Sequence, residues 1–198
     1  MKTTVLITIA ALTGVAAQAS SIAGMAERRV TVCMESNAHS DDIVRAQILA
    51  SKIFAGMGVT LEWRLGFGGC PSSAMMISLS NNTPGAVQPG AFAYAMPYEG
   101  TQIRVFYDRL ANTFTRSMVP TVLGHVLAHE ITHILQGVCR HSSSGMMKAN
   151  WRRQDFDDMR TKPLPFGAED IDLIYRGMAG RDWGIMARNG APAAVAVQ

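Results

Sequence analysis

Four of the chain's five histidines fall in one short window, at positions 125, 129, 133 and 141, and Glu130 directly follows the second of them. On a helix, residues four apart share a face about one turn apart, so His129 and His133 can offer two imidazoles to one metal ion. Glu130 stands one position on from His129, where a carboxylate can reach a water on that ion without ligating it. The pattern His-Glu-x-x-His therefore points to a metal-activated water with a general base beside it, and zinc is the expected cofactor.

A third ligand must come back to the ion from another direction. His141 is the expected one, leaving the fourth position to water. Cys139, Glu169, and Asp172 with Tyr175 are the alternatives that the residue types leave open. His125 continues the four-residue spacing backwards, but its backbone lies about 12 Å along the axis from His133 at ~1.5 Å per residue. One ion does not bridge that span, so His125 is expected to support the ligands from behind or to be structural.

These side chains need a helix that starts and stops in the right places. Val122, Leu123, Val126, Leu127, Ile131, Ile134 and Leu135 have helical spacing. Pro120 and Thr121 mark its start, and Gly137 its stop, freeing the chain to turn towards His141.

Upstream, Arg29 to Met34 reads as a strand, and Asp41 and Asp42 open an amphipathic helix through Ile43, Ala46, Ile48, Leu49, Ile53 and Phe54. Strands are predicted over 59–63, 75–79, 91–96 and 102–107, the last two joined by a turn at Pro97 to Gly100. Downstream come a short polar helix over 152–160 and an amphipathic one over 167–178, separated by Pro163 and Pro165. Asp155, Asp157 and Asp158 lack the spacing of a calcium loop.

The first 19 residues read as a secretory signal peptide: Lys2, an apolar run from Val5 to Ala17, and a small-x-small site at Ala17-Gln18-Ala19. Residues 20–186 are expected to form a single domain, followed by a mobile tail over 187–198. The expected location is secreted or periplasmic. Loss of Lys2 leaves 17 basic residues against 15 acidic ones, a net charge of about +2. That balance gives no argument for nucleic acid, and no segment reads as a membrane span. Cys33, Cys70 and Cys139 allow one disulfide in an oxidising compartment, and Cys33–Cys70 is the favoured pair. Oligomeric state leaves no trace in the sequence.

The run HEITHILQGVCRHSSSGMMKANW resembles the metzincin group of zinc peptidases. It is more closely similar to short secreted bacterial metzincin-like proteins with His-Glu-x-x-His, a glycine, His-Ser, Gly-x-Met and then Trp. The metzincin pattern proper is His-Glu-x-x-His-x-x-Gly-x-x-His. Here Gln136 takes the glycine slot and Cys139 the third histidine slot, while Gly137 and His141 come two residues later. Cys139 and His141 thus both remain in view.

The resemblance implies an α+β fold: a twisted, mixed five-stranded sheet with a backing helix, the zinc helix, and a small C-terminal helical subdomain. It makes Gly145-Met146-Met147 a Met-turn beneath the metal, with Met147 its base residue. It makes the fourth strand an open sheet edge above the cleft, where Ala91, Phe92, Ala93 and Tyr94 would bind an extended peptide. The implied activity is endopeptidase hydrolysis of peptide or protein substrates with Glu130 as general base. The competing expectation is a secreted binding protein that keeps zinc on the same fold with little or no activity.

Overall fold

The structure, a computed structural model, describes residues 28–35, 40–98, 100–179 and 195–197, so the expected signal peptide lies outside the described residues. The chain opens with a strand, β1 (Arg28–Met34), followed by helix α1 (Asp41–Ala55) and strand β2 (Val59–Leu65). β1 and β2 pair in parallel, with Arg28 opposite Val59 and Met34 opposite Leu65. Parallel neighbours need a crossover of about a dozen residues or more, and α1 supplies it. Ser40 caps α1 by accepting from the Ile43 N–H at 3.4 Å. Ile48, placed on the apolar face by its spacing, is instead 62% exposed.

Three more strands follow, β3 (Met75–Ser80), β4 (Ala93–Ala95) and β5 (Gln102–Phe106). β3 lies parallel to β1 and to β5, whereas β4 runs antiparallel to β5. These are the five strands expected from the sequence, in a mixed α+β sheet. A sixth, β6 (Val195–Val197), adds antiparallel to the outer side of β4, giving the order β2-β1-β3-β5-β4-β6. Of the tail over 187–198, only this strand lies within the described residues.

Between β5 and the long helix the chain forms α2 (Tyr107–Thr113), where the sequence reading continues the strand to Tyr107. The short helix fixes the irregular segment ahead of β4. Asp108 accepts from the Thr83 N–H and hydroxyl at 3.0 and 2.7 Å. Arg109 donates to the carbonyls of Gln88 and Ala91 at 2.6 and 2.8 Å.

Helix α3 (Val119–Gln136) lies buried among α1, β4 and α5 (Ala168–Ala179). Its approach to α5 is so close that a Cβ on Gly177 would stand 1.8 Å from the Leu135 carbonyl oxygen. Helix α4 (Arg153–Met159) starts where Asp155 accepts from the Arg152 N–H at 2.6 Å, so this acidic residue is a helix cap. A disulfide joins Cys33 to Cys70, and Cys139 keeps its thiol. Among the described residues no helix is long and apolar enough to cross a membrane.

Candidate metal centre

His129 and His133 are fully buried, one turn apart on α3. Gly137 ends the helix in the left-handed conformation (φ 67°), its N–H returning to the His133 carbonyl at 2.9 Å. A residue with a side chain adopts that angle only at a cost, so the glycine is what lets the chain turn here. The turn carries His141 back over the helix. The three side chains offer ligand atoms that all lie within 4.8 Å of one another. Cys139 is outside this cluster. Glu169 pairs with Arg140, Asp172 pairs with Arg176 at 2.7 Å, and the Tyr175 hydroxyl donates to the Met57 carbonyl at 2.6 Å.

The hydrogen bonds decide which ring nitrogens are available. His129 Nδ1 lies 2.8 Å from the Met146 carbonyl oxygen, and His133 Nδ1 lies 3.2 Å from that of Val138. A carbonyl only accepts, so each Nδ1 carries the proton and each Nε2 of the neutral ring is a bare lone pair. Yet the two Nε2 atoms face each other at 2.9 Å. Two acceptors at that separation repel unless a cation lies between them. His141 Nε2 is likewise buried with no hydrogen-bond partner. The donor set therefore fits a metal ion of zinc's preferences: three imidazoles, two of them with the far nitrogen tied to a backbone carbonyl.

Burial holds all three rings in the form that ligates. His129 is pushed well below the ordinary histidine range by desolvation, reinforced by His133 and His141. Desolvation, with the charge of His141, takes His133 down to about 4. Desolvation also lowers His141.

Glu130 is fully buried, and neither carboxylate oxygen has a hydrogen-bond partner of normal geometry. Burial raises its pKa well above the usual carboxylate range, with the backbone of Ala95 on β4 pulling the other way. A buried, unpaired carboxylate has no structural reason to persist, since leaving such a group unsatisfied is costly.

His125 has a different job. Its Nδ1 lies 2.8 Å from the Thr121 carbonyl, and its Nε2 accepts the Leu164 N–H at 3.1 Å. Both nitrogens are used, and the ring tethers α3 to the segment before α5.

The turn that follows His141 is built from two features of one glycine. Gly145 has φ +73°, and a Cβ there would lie 2.3 Å from the Pro165 carbonyl oxygen. The next residue, Met146, donates its N–H to that same oxygen at 2.8 Å and offers its own carbonyl to His129. Met147 is buried in the core, its carbonyl accepting from the Ser142 N–H at 2.6 Å.

The residues singled out on the fourth strand lie beside this centre. Phe92 and Ala93 are buried, Tyr94 packs on Phe106 with ring centroids 5.7 Å apart, and the Ala91 carbonyl is held by Arg109. The edge expected to be open carries β6 instead. Next to it, a cleft of about 600 Å³ is lined by Phe92, Phe114, Met118, Trp151 and Phe156, with Arg153 and Arg160 among its polar residues. Trp151 joins cleft and centre, its ring meeting His129 edge-on at 5.6 Å.

Two positioning residues escaped the sequence reading. Asp170, fully buried, binds both neighbours of His141. Arg109 locks the chain entering β4. An acidic residue in the first turn of an amphipathic helix was the only visible sign of Asp170, and it reads as a helix-dipole partner.

The chain matches no protein-family model and no curated protein. It is similar in structure to archaemetzincin from Methanopyrus kandleri (TM-score 0.51, 14% identity, covering 79% of this chain and 98% of that one). It is also similar to a zinc-dependent peptidase from Methanocorpusculum labreanum (TM-score 0.51, 13% identity, covering 73% of this chain and 99% of that one). At these identities the likeness is one of fold.

Proposed function

We propose that the chain is a secreted or periplasmic zinc-dependent endopeptidase. The observation that carries this reading is the pair of unprotonated Nε2 atoms 2.9 Å apart beside a buried Glu130 without a partner. The zinc-dependent peptidase among the fold neighbours supports it, as does the archaemetzincin fold. The Cys33–Cys70 disulfide and the signal-peptide pattern support export to an oxidising compartment.

His129, His133 and His141 would hold the ion. When bound there, zinc supplies a Lewis acid that polarises a carbonyl and lowers the pKa of a water towards ~7. Glu130 accepts the proton of the attacking water and passes it to the leaving amine, a base and then an acid at one carboxylate. Its raised proton affinity suits a group that must hold the proton between those steps. The Met146 and Val138 carbonyls keep the His129 and His133 rings in one tautomer and one orientation. Trp151 shields His129 from solvent on one side. The backbone of β4 receives the substrate as an added strand, and the aromatic cleft receives one apolar side chain.

Glu130→Gln tests the reading. The variant should bind zinc as the parent does and lose peptide cleavage by about 10²-fold or more. Cleavage at the parental rate would remove Glu130 from the chemistry.

A further inference from the structure

Phe106 donates its N–H to the Phe92 carbonyl at 2.8 Å, and Met96 donates to the Gln102 carbonyl at 3.1 Å. In an antiparallel ladder, alternate residues turn their N–H and C=O groups to opposite sides. Residues 92, 94 and 96 therefore bond to β5, and Ala93 and Ala95 present theirs to the outer side of β4. That side adjoins the metal centre, because the Ala95 backbone lies close enough to act on the Glu130 carboxylate. An extended peptide added to the sheet would use these same groups. They are already engaged: Val197 stands opposite Ala93 and Val195 opposite Ala95, in antiparallel register.

We propose that β6 is an intramolecular occupant of the peptide-binding edge, so that the chain excludes extended peptides until residues 195–197 leave β4. What is excluded as a substrate rests on the peptidase reading; the competition itself does not. Two strands cannot take one row of backbone groups, so a bound peptide and β6 are mutually exclusive. Val-Ala-Val is a strand-forming sequence, and the small, uncharged stretch before it, Gly190 to Ala194, contains two strand breakers, Gly190 and Pro192. A strand of three residues is held weakly, so the occupancy is reversible. If β6 is seated about nine-tenths of the time, apparent affinity for a competing peptide falls about tenfold.

The full chain is compared with one ending at Gly190, using a fluorescent peptide of residues 191–198, APAAVAVQ, as the probe. The shortened chain should bind the probe at least about tenfold more tightly. Its Ala93 and Ala95 amides should exchange with solvent faster than in the full chain, while Tyr94 stays protected. Val195→Pro in the full chain removes the N–H that faces Ala95 and should give an intermediate affinity. Equal probe affinity and equal exchange at Ala93 and Ala95 in all three chains would overturn the proposal. Neither readout needs catalysis, so failure of the peptidase reading shows separately, as absence of hydrolysis in both forms with the binding difference intact.

Discussion

Ser142 donates its hydroxyl to the buried carboxylate of Asp170 at 2.6 Å, and the same oxygen accepts from Arg140 at 2.8 Å. The two donors flank His141. A carboxylate on α5 thus fixes the chain on both sides of the third imidazole, leaving that ring little freedom to swing off the metal.

Asp170→Asn keeps an acceptor for Ser142 but removes the charge that Arg140 meets. Groups that hold ligands in place commonly contribute 10–100-fold to metal affinity, and Asp170 acts one step further back, so a loss of about tenfold is expected. Zinc titration against a competing chelator reads it. Unchanged affinity would mean that His141 is positioned by the turn alone.

Gly145 and Gly177 are both pressed against backbone, which cannot give way. Gly145→Ala combines a left-handed φ with a contact of 2.3 Å to the Pro165 oxygen, so it should lose about 2–4 kcal/mol. Gly177→Ala meets the Leu135 oxygen at 1.8 Å and should lose about 1–3 kcal/mol by forcing α5 off α3. Gly124→Ala should also destabilise, because its Cβ meets not only the Leu49 Cδ2 at 2.8 Å but the Leu49 Cβ at 2.9 Å. No rotamer change removes the second contact, so α1 and α3 must shift apart. Denaturant unfolding of the three variants orders them.

Metal-free protein should be sensitive to both acid and base. His125, His129, His133 and His141 all have folded pKa values below the ordinary 6.5, with His133 at about 4. The unfolded chain then binds protons more readily, so stability falls as the pH drops from 6.5 towards about 4. Glu130 works in the opposite sense: its folded pKa is raised above 4.5, and stability is lost as the pH rises through it. Glu130→Gln should therefore raise the melting temperature of the metal-free chain at pH 7. A gain of at least about 2 °C corresponds to ~1 kcal/mol in a chain of this size. An unchanged or lower value would show that burying Glu130 costs the fold nothing at that pH.

Phe156 lines the aromatic cleft and packs on Phe114 with centroids 4.9 Å apart and on Trp151 at 6.4 Å. Phe156→Ala should enlarge the cleft and favour substrates with bulkier apolar side chains. The expected change in relative kcat/KM is about 10-fold or more between small and large side chains. A library of peptides varied at one position around the cut would detect it, and an unaltered preference would place the specificity elsewhere.

The metal helix was legible because its chemistry is local. His129, Glu130 and His133 sit within one turn and a bit of α3, so periodicity alone put them together, and Gly137 announced the turn to His141. Asp170 could not be read that way. It lies about thirty residues from the groups it binds, and only the packing of α5 on α3 brings them close. The same holds for Arg109 and the carbonyls before β4. Helix α2 was hidden because the apolar residues of β5 run into it without a break, making an extended reading natural up to Tyr107. β6 is three residues long, too short for any periodic signal, and its partner strand lies about a hundred residues away.

The proposed chemistry depends on one ion held by His129, His133 and His141. Metal analysis of the purified chain after exposure to zinc tests this directly, with His141→Ala and Cys139→Ser measured beside it. One zinc per parent chain, retention in Cys139→Ser and loss in His141→Ala is the predicted result. A parent chain that stays metal-free, or a site emptied only by the cysteine substitution, would contradict it.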